Sequence, residues 1–412
     1  MRLRLRLARF LTLAPETPLA VLLAVFWYAY HLVCSGWVAS SECGAFFAMV
    51  ATIVALTRRE LRPSFHILYF PLFVYALAST ISSLAAARSI HAFGESALWG
   101  KAMLFPTALI LFRNVPRSRI VAVRALMIFG IFASLYGLVQ FFVFGERDLD
   151  HRITGPAAHV MTLSGLLLPV ALIFFVVWLH DLRNLWLAAG TALMSFALLL
   201  TFTRSVWIGW FVAVAVLFIL KRPRALIYAT PLLIFFITFM PLPIFTRVVS
   251  SFDTRQSSNL DRIRMVQAGV EMIKDYPLLG VGPANVKEVY PLYRRHDAPR
   301  FRIPHLHNNL VQLWAERGVL APIAYLLLLG LFLRECARAW RTDETGFAEV
   351  GVTVTVALAV AGLFEFNFGD TEVFWMLLDV YAIVIATLEG GREAGLPVLP
   401  ALFRSSKSVT FR

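Results

Sequence analysis

Two neighbouring histidines are the side chains that the sequence best suits to acid–base chemistry. They stand in Pro304-His305-Leu306-His307-Asn308-Asn309, and an apolar face at helical spacing continues from His307 through Leu310, Val311 and Trp314. We therefore predict that His307 heads a helix, where the helix dipole disfavours imidazolium and leaves a neutral ring able to accept a proton. The alternative is that both histidines merely cap and pack this helix.

A His-x-His metal site is the other chemistry that this spacing allows. No cysteine lies nearby, and the closest acid downstream, Glu316, comes nine residues after His307. Protein zinc sites are built from three or four such ligands. We therefore expect no metal and no cofactor.

Arginine dominates the basic residues between Met240 and Val319, a stretch with eleven Lys and Arg against seven Asp and Glu. Bidentate phosphate recognition favours arginine, although a long loop can also carry such charges as plain solvated surface. Ser258 and Asp261 resemble a capping box, and Pro277 should end the helix that follows. Arg262 is thereby predicted in a first helical turn, where free backbone N–H groups also favour an anion.

The elements that must position these groups are membrane helices. The chain of 412 residues is 59% hydrophobic and 15% charged, with a mean hydropathy of +0.73. Apolar stretches of about 20 residues can cross a hydrocarbon core as helices, which satisfy their own backbone polar groups. The first stretch, 17–34, lacks a cleavage pattern and is followed at once by others, so we do not expect a signal peptide. The fold class is an all-α integral membrane protein.

The net charge of +13 is assigned to topology and to contact with membrane lipids, and we expect no nucleic acid partner.

About twelve transmembrane helices are expected, with one large loop after the ninth. The predicted spans lie near 17–34, 42–57, 66–87, 97–112, 121–144, 156–179, 185–202, 205–220, 225–244, 319–335, 349–364 and 372–389. The chain is thus divided into an N-terminal membrane bundle (1–244), a loop containing short helices and the candidate catalytic segments (245–318), and three C-terminal spans with a tail (319–412).

Lys and Arg are distributed unevenly between the two sides of this plan. The links on one side carry 21 of them, whereas the short links on the other side carry 4. Under the positive-inside rule, both termini are predicted in the cytoplasm and the large loop on the opposite, periplasmic side.

Three motifs and the span plan resemble one known family. His307-Asn308, then nine residues, then Gly318-Val319-Leu320-Ala321 is similar to a His-Asn, nine residues, Gly-x-x-Gly signature, with Ala321 in place of the last glycine. Thr203-Arg204-Ser205-Val206-Trp207 looks like a Ser-Arg-Gly element that opens a span, and Arg262 to Gly282 looks like an arginine helix and its following turn. Together they resemble the bacterial O-antigen ligase superfamily, which also contains O-antigen and exopolysaccharide polymerases and protein O-oligosaccharyltransferases.

The resemblance implies glycan transfer from an undecaprenyl-diphosphate-linked donor to a hydroxyl acceptor at the outer face of the bacterial inner membrane. The family's essential arginines fall on Arg204 and Arg262, and its essential histidine falls on His307. Two arginines could neutralise the diphosphate leaving group without a metal, while His307 removes the acceptor proton. The acceptor is lipid A-core for a ligase and a growing glycan for a polymerase. We favour ligation on the intact His-Asn-x9-Gly pattern.

Further polar residues near the outer face complete the predicted site. Predicted substrate-binding residues are Arg264, His305, Asn308, Arg152, His159 and Arg302, with ordinary interface polarity as the alternative for Arg152 and His159. An acidic turn could orient an arginine, contact sugar or simply be solvated; it holds Glu365, Asn367, Asp370 and Glu372. Cys34 and Cys43 both fall near the outer face and could form a disulfide in the oxidising periplasm.

Two other classes of membrane protein fit the sequence less well. A twelve-helix transporter built from repeats should show two similar halves, and the chain shows no such repeat. A metal-dependent glycosyltransferase acting on lipid-linked sugars usually carries an Asp-x-Asp-type pair in its first external loop. Here that loop, Ser35 to Glu42, holds a single acid.

Overall fold

The computed structural model describes residues 2–86, 98–145, 151–221, 223 and 257–390, and these residues form helices joined by turns. The first part of the chain contains α1 (Arg2–Phe10), α2 (Leu19–Val33), α3 (Val38–Thr57), α4 (Tyr69–Ala85), α5 (Leu98–Ala102), α6 (Leu104–Asn114), α7 (Arg117–Val139, continued by a π-helical turn to Phe144), α8 (Val160–His180), α9 (Leu185–Leu200) and α10 (Arg204–Lys221). The later part contains α11 (Ser257–Asp275), α12 (Val286–Tyr293), α13 (Asn309–Arg317), α14 (Leu320–Ala339), α15 (Phe347–Ala361) and α16 (Thr371–Gly390).

The chain is a multi-pass membrane protein by the length and composition of its helices. Among the described residues, six helices are long and apolar enough to cross a membrane, namely α3, α7 with its π-helical turn, α8, α10, α14 and α16. Four shorter apolar helices accompany them, namely α2, α4, α9 and α15. The predicted span 225–244 lies outside the described residues.

Two helices form the centre of the bundle. Almost every residue of α8 and α16 is buried, whereas fewer than half of the residues in the apolar windows of α3, α7, α10 and α14 are buried inside the protein. The sequence explains this difference, because a helix that is apolar on all sides belongs in the interior, and α8 is apolar throughout. α16 packs against α6, α8 and α15, so the turn that precedes it lies over the middle of the bundle.

The structure divides one predicted span and answers one question that the sequence left open. The span near 97–112 is broken into α5 and α6 on either side of Met103. Pro106 is the physical reason, because it has no backbone N–H to donate to the carbonyl of Ala102. Cys34 and Cys43 do not form a disulfide: both are free, Cys43 is exposed on α3, and Cys34 lies half-buried at the end of α2.

Candidate active site

His307 lies just before α13 rather than in it. Asn308 is the N-cap of α13, and its side-chain oxygen accepts a hydrogen bond from the backbone N–H of Val311 at 3.0 Å. The prediction that His307 heads the helix is therefore wrong, because the stronger capping residue follows it. His307 has a φ of +52°, a left-handed conformation uncommon for residues other than glycine. Such backbone persists where the surrounding contacts hold it, often at functional sites.

The segment that carries His307 is fastened to the turn between α15 and α16. The backbone N–H of Asn309 donates to the carbonyl of Gly362 at 2.7 Å. The side-chain amide of Asn308 donates to the carbonyl of Leu363 at 2.9 Å. Asn308, which was predicted to bind substrate, is a helix cap and a tether in the structure. These bonds bring a distant turn of the chain directly beside His307.

Glu365 in this turn is the acid that reading along the sequence did not assign to His307. Its Oε2 lies 3.0 Å from Nδ1 of His307 and 3.9 Å from Nη2 of Arg262, and its Oε1 lies 3.4 Å from Nε2 of His305. The acidic turn was expected to orient an arginine, contact sugar or be solvated. Because Glu365 is buried, solvation is ruled out for it, and its contact with Arg262 fits the first of these roles.

The charge of Glu365 follows from its partners. Burial by itself raises the pKa of the Glu365 carboxyl, but the hydrogen bond from His307 and the charges of the two histidines and Arg262 lower that pKa to about 2. The group is therefore a carboxylate at neutral pH. A carboxylate on Nδ1 holds a histidine ring in one orientation and one tautomer, with Nε2 facing the opposite way. Within the described residues, no group is hydrogen-bonded to Nε2 of His307.

His305 is part of the same cluster. Its ring centroid lies 4.2 Å from that of His307. Burial is the main cause that lowers the pKa of His305 to about 4; the Glu365 carboxylate opposes this shift, and the positive charges of His307, His159 and Arg300 contribute to it. Nδ1 of His305 is buried and has no hydrogen-bond partner in the described part of the chain. His305 is therefore a neutral ring at neutral pH, beside a residue that can gain a proton.

Arg204 and Arg262 come from different helices and meet at the start of α11. Arg204 is the first residue of α10 and is only 6% exposed. Its Nη2 donates to Oδ1 of Asn259 at 2.8 Å and to the hydroxyl of Ser258 at 3.1 Å, so α10 is joined to α11. The Arg204 and Arg262 guanidiniums are close enough for their charges to repel. Asp261 and Arg300 also act on the charge of Arg262. Three arginines against the carboxylates of Glu365 and Asp261 leave these described residues with a net positive charge, which suits a phosphate group.

The predicted capping box is wrong, although the helix that it was meant to start exists. α11 already includes Ser257, so Arg262 lies in its second turn and not in its first. The Ser258 hydroxyl accepts from Arg204, and the Asp261 carboxylate accepts from Nε of Arg300, so neither side chain caps the helix in the predicted way. The predicted stop before Pro277 is confirmed, since α11 ends at Asp275.

The remaining predicted substrate-binding residues differ in where they lie relative to the histidines. His159 is exposed at the N-cap of α8, yet near enough to His305 to act on its charge. The Arg264 guanidinium is held by the Asp297 carboxylate. Arg302 is exposed on the segment before the histidines, and Arg152 is half-buried just before α8. The structure thus brings His305 directly beside His307 and places His159 near His305.

Two glycines allow the turn after α11 to pack against the end of α13. Gly318 has a φ of +71°, and a Cβ there would lie 1.8 Å from the carbonyl oxygen of Leu278. Gly280 has a φ of +69°, and a Cβ there would lie 2.3 Å from the carbonyl carbon of Glu316. Gly318 also ends α13, as predicted. The nine residues between Asn308 and Gly318 thus form one short helix, with His307 just before one end and a close backbone contact at the other.

The cluster also has the composition of a metal site. One ligand atom each from His305, His307 and Glu365 lies within 4.8 Å of the others, and two histidines with a carboxylate can bind zinc. The sequence argument against a metal relied on the absence of a nearby acid. That argument was incomplete, because Glu365 comes from a different part of the chain and supplies the carboxylate. Metal binding therefore has to be tested directly.

Comparison with known proteins agrees with the motifs. Residues 189–326, about a third of the chain, match the family model described as O-Antigen ligase. The matched region includes Arg204, Arg262 and His307, and it ends inside α14. The resemblance inferred from the sequence is thereby confirmed. No curated protein matches the chain.

Proposed function

We propose that the protein is a membrane glycosyltransferase that moves a glycan from an undecaprenyl-diphosphate-linked donor to a hydroxyl acceptor at the periplasmic face of the bacterial inner membrane. The proposed acceptor is lipid A-core, which makes the reaction O-antigen ligation. The observation that carries this proposal is the Glu365 carboxylate, which contacts His307 on one side and Arg262 on the other. One carboxylate therefore contacts both the candidate base, His307, and the candidate phosphate-binding cation, Arg262.

The proposed reaction is a single displacement at the anomeric carbon of the donor. Nδ1 of His307 donates to Glu365, so Nε2 accepts the proton of the acceptor hydroxyl. The acceptor oxygen forms a bond to the anomeric carbon while the bond from that carbon to the phosphate oxygen breaks. The electron pair of the broken bond goes to the diphosphate, whose charge Arg204 and Arg262 neutralise. The proton remains on His307, where the Glu365 carboxylate stabilises the imidazolium.

The proposed topology places this chemistry outside the cytoplasm. About twelve spans with both termini in the cytoplasm put the loop at 245–318 in the periplasm, between a bundle at 1–244 and three spans at 319–412. Arg204 begins a candidate span, and Glu365 lies between α15 and α16, so both reach the same end of the bundle as the loop. A lipid-linked diphosphate would lie at this depth, because its phosphates occupy the headgroup region of the bilayer.

The acceptor decides between ligase and polymerase, and a reconstituted assay measures it. Purified protein is incubated with lipid-linked donor alone, with donor and lipid A-core, or with donor and lipid A-core from which the acceptor sugar has been trimmed. Ligation predicts a product only with intact lipid A-core. Product from donor alone would instead support the polymerase alternative. Donor consumption in no arm, together with uptake of labelled donor into vesicles, would support a transporter.

The metal question is answered in the same assay. We expect turnover to be unchanged in excess chelator, because Arg204 and Arg262 supply the positive charge at the leaving group. If chelator stops transfer and one divalent ion restores it, the cluster of His305, His307 and Glu365 is a metal site. His307 would then be a ligand and could not act as the free base.

A further inference from the structure

The first helix differs in composition from every other helix of the bundle. α1 reads Arg-Leu-Arg-Leu-Arg-Leu-Ala-Arg-Phe and contains no acid. At a rise of about 1.5 Å per residue it is about 14 Å long, too short to cross a hydrocarbon core. A turn with a φ of +55° at Thr12 separates α1 from α2, so the two helices are not one continuous span.

The faces of α1 are those of a helix that lies along a membrane surface. Ala8 and the following Leu11 are buried against the bundle. Arg6 and Arg9 are exposed on the opposite side, and beside them Phe10 is 74% exposed. The ring of Phe10 also packs against Phe26 of α2 at 6.5 Å. An exposed aromatic ring beside exposed arginines fits the boundary between acyl chains and headgroups. There the ring contacts the acyl chains and the guanidiniums contact the headgroups.

Among the residues that the structure describes, Arg4, Arg6 and Arg9 lack the carboxylate partners that other arginines at this end of the bundle have. Arg113 binds Glu389 with two hydrogen bonds of 2.6 and 2.7 Å, and Arg338 binds Glu335 at 3.0 Å. No such carboxylate pairs with the arginines of α1 whose side chains are described, which are Arg4, Arg6 and Arg9.

Arg4 adds an independent observation. It is only half-buried as a residue, but its Nε is fully buried and has no hydrogen-bond partner in the described part of the chain. A buried donor of a charged group that lacks an acceptor costs free energy, so an acceptor other than the described residues is expected there. A phosphate oxygen has the charge and the geometry that a guanidinium binds best.

From these observations we propose that α1 is a binding site for anionic phospholipids of the cytoplasmic leaflet. Arg4, Arg6 and Arg9 hold the headgroup phosphate, and Phe10 enters the acyl region. The site is at the opposite end of the bundle from His307 and takes no part in glycan transfer. It fixes the depth of α2 in the bilayer through the contact between Phe10 and Phe26.

The test counts bound lipid on the full-length protein. Delipidated protein in mild detergent is titrated with phosphatidylglycerol or phosphatidylcholine, and bound lipid is measured by native mass spectrometry. We expect selective binding of phosphatidylglycerol. Each basic residue near an anionic surface contributes about 1 kcal/mol, or about fivefold in affinity, so Arg6→Gln with Arg9→Gln should weaken the strongest binding by roughly 25-fold. Arg6→Lys with Arg9→Lys should retain most of it.

The matched control removes the same charge elsewhere on the same side. Arg117 and Arg341 are exposed like Arg6 and Arg9, and the double variant Arg117→Gln with Arg341→Gln should leave the strongest binding unchanged. Equal losses in the two double variants would show that only the net charge matters, and the proposal would be wrong. Unchanged binding in the α1 variant, with an unchanged unfolding midpoint, would also overturn it. Glycan transfer in detergent should be the same in all these variants.

Discussion

Among the pairs of a histidine and a carboxylate in the described residues, two differ in almost everything except their chemistry. The site pair, His307 and Glu365, joins the segment before α13 to the turn before α16 at 3.0 Å. The buried pair, His31 and Asp379, joins α2 to α16 inside the bundle at 3.1 Å. The side chains of the site pair are 11% and 9% exposed, whereas those of the buried pair are each 1% exposed.

The polar atoms of the buried pair are all hydrogen-bonded within the protein. In the buried pair, the hydroxyl of Tyr28 donates to Asp379 at 2.5 Å, and the Ser41 hydroxyl lies 2.8 Å from Nδ1 of His31. Both ring nitrogens of His31 and both oxygens of Asp379 are therefore satisfied within the protein. Such a complete network inside a membrane bundle connects helices, because an unpaired polar group there would be costly.

The site pair is instead incomplete on one side. Nδ1 of His307 is bound to Glu365, while its Nε2 makes no hydrogen bond to the described residues. Arginine and a second histidine share the same carboxylate. A histidine whose one nitrogen is fixed and whose other nitrogen is available can exchange a proton with a substrate. The comparison thus separates a pair suited to catalysis from a pair suited to helix packing.

The largest difference is expected when each histidine is removed. His307→Ala should lower glycan transfer by about 10²–10⁴-fold, since the general base is lost, and should change the unfolding midpoint little. His31→Ala leaves the Asp379 carboxylate buried without its partner, so it should destabilise the fold by about 3–5 kcal/mol. Turnover per folded molecule, measured beside thermal unfolding in detergent, separates the two effects. An equal loss of turnover per folded molecule in both variants would contradict the assignment.

The arginines should show the next largest effect. Arg204→Ala and Arg262→Ala should each lower transfer by about a hundredfold or more while the protein remains inserted, because each stabilises charge on the leaving group. Lysine at either position should also fail in large part, since a point charge does not reproduce the bidentate guanidinium. The control is Arg264→Ala, whose guanidinium is directed to Asp297 and which should retain most of the activity. Near-normal turnover of either test variant would remove that arginine from the mechanism.

Replacing the carboxylate of each pair by an amide should also affect the two pairs differently. Glu365→Gln keeps an oxygen beside His307 but removes the charge that stabilises the imidazolium, so we expect transfer to fall by roughly tenfold to a hundredfold. Asp379→Asn should mainly lower the unfolding midpoint. Steady-state rates and unfolding midpoints of the two variants are compared at the same pH. If Asp379→Asn proves the more damaging to turnover per folded molecule, the buried pair has a role in the reaction.

The smallest expected effect is the pH dependence caused by His305. Its pKa is lowered to about 4 in the folded protein, below the ordinary 6.5, so as pH falls the unfolded chain takes up the proton first. The stability associated with the neutral ring is complete above pH 6.5 and is lost as pH falls towards 4. His305→Gln should flatten the fall of the unfolding midpoint over this range, and it should lower transfer less than His307→Ala.

Glu365 has a lowered pKa as well, but in a more acidic range. Its folded value of about 2, against an ordinary value of 4.5, gives stability that is lost only between those two pH values. The midpoints measured above pH 4.5 therefore report on His305 and not on Glu365. A His305→Gln variant with the same slope as the parent protein over that range would contradict the assignment.

The sequence alone determined the features that depend on neighbouring residues. Hydropathy over about 20 residues indicated the membrane helices, because burial in lipid depends on the composition of each stretch. Pro277 and Gly318 marked the ends of α11 and α13, because backbone donors and left-handed conformations are local properties. The motifs around Arg204, Arg262 and His307, together with the span plan, predicted the family whose model matches residues 189–326.

Only the tertiary structure decided which groups meet. Glu365 lies 58 residues from His307, and Asp379 lies 348 residues from His31. No periodicity or spacing links such positions, since the packing of α16 against its neighbours brings them together. The same packing gives the two pairs their different surroundings: the turn before α16 reaches the end of the bundle, whereas the middle of α16 is enclosed. A histidine and a carboxylate can be seen in the sequence, but access to their free nitrogen is a property of the fold.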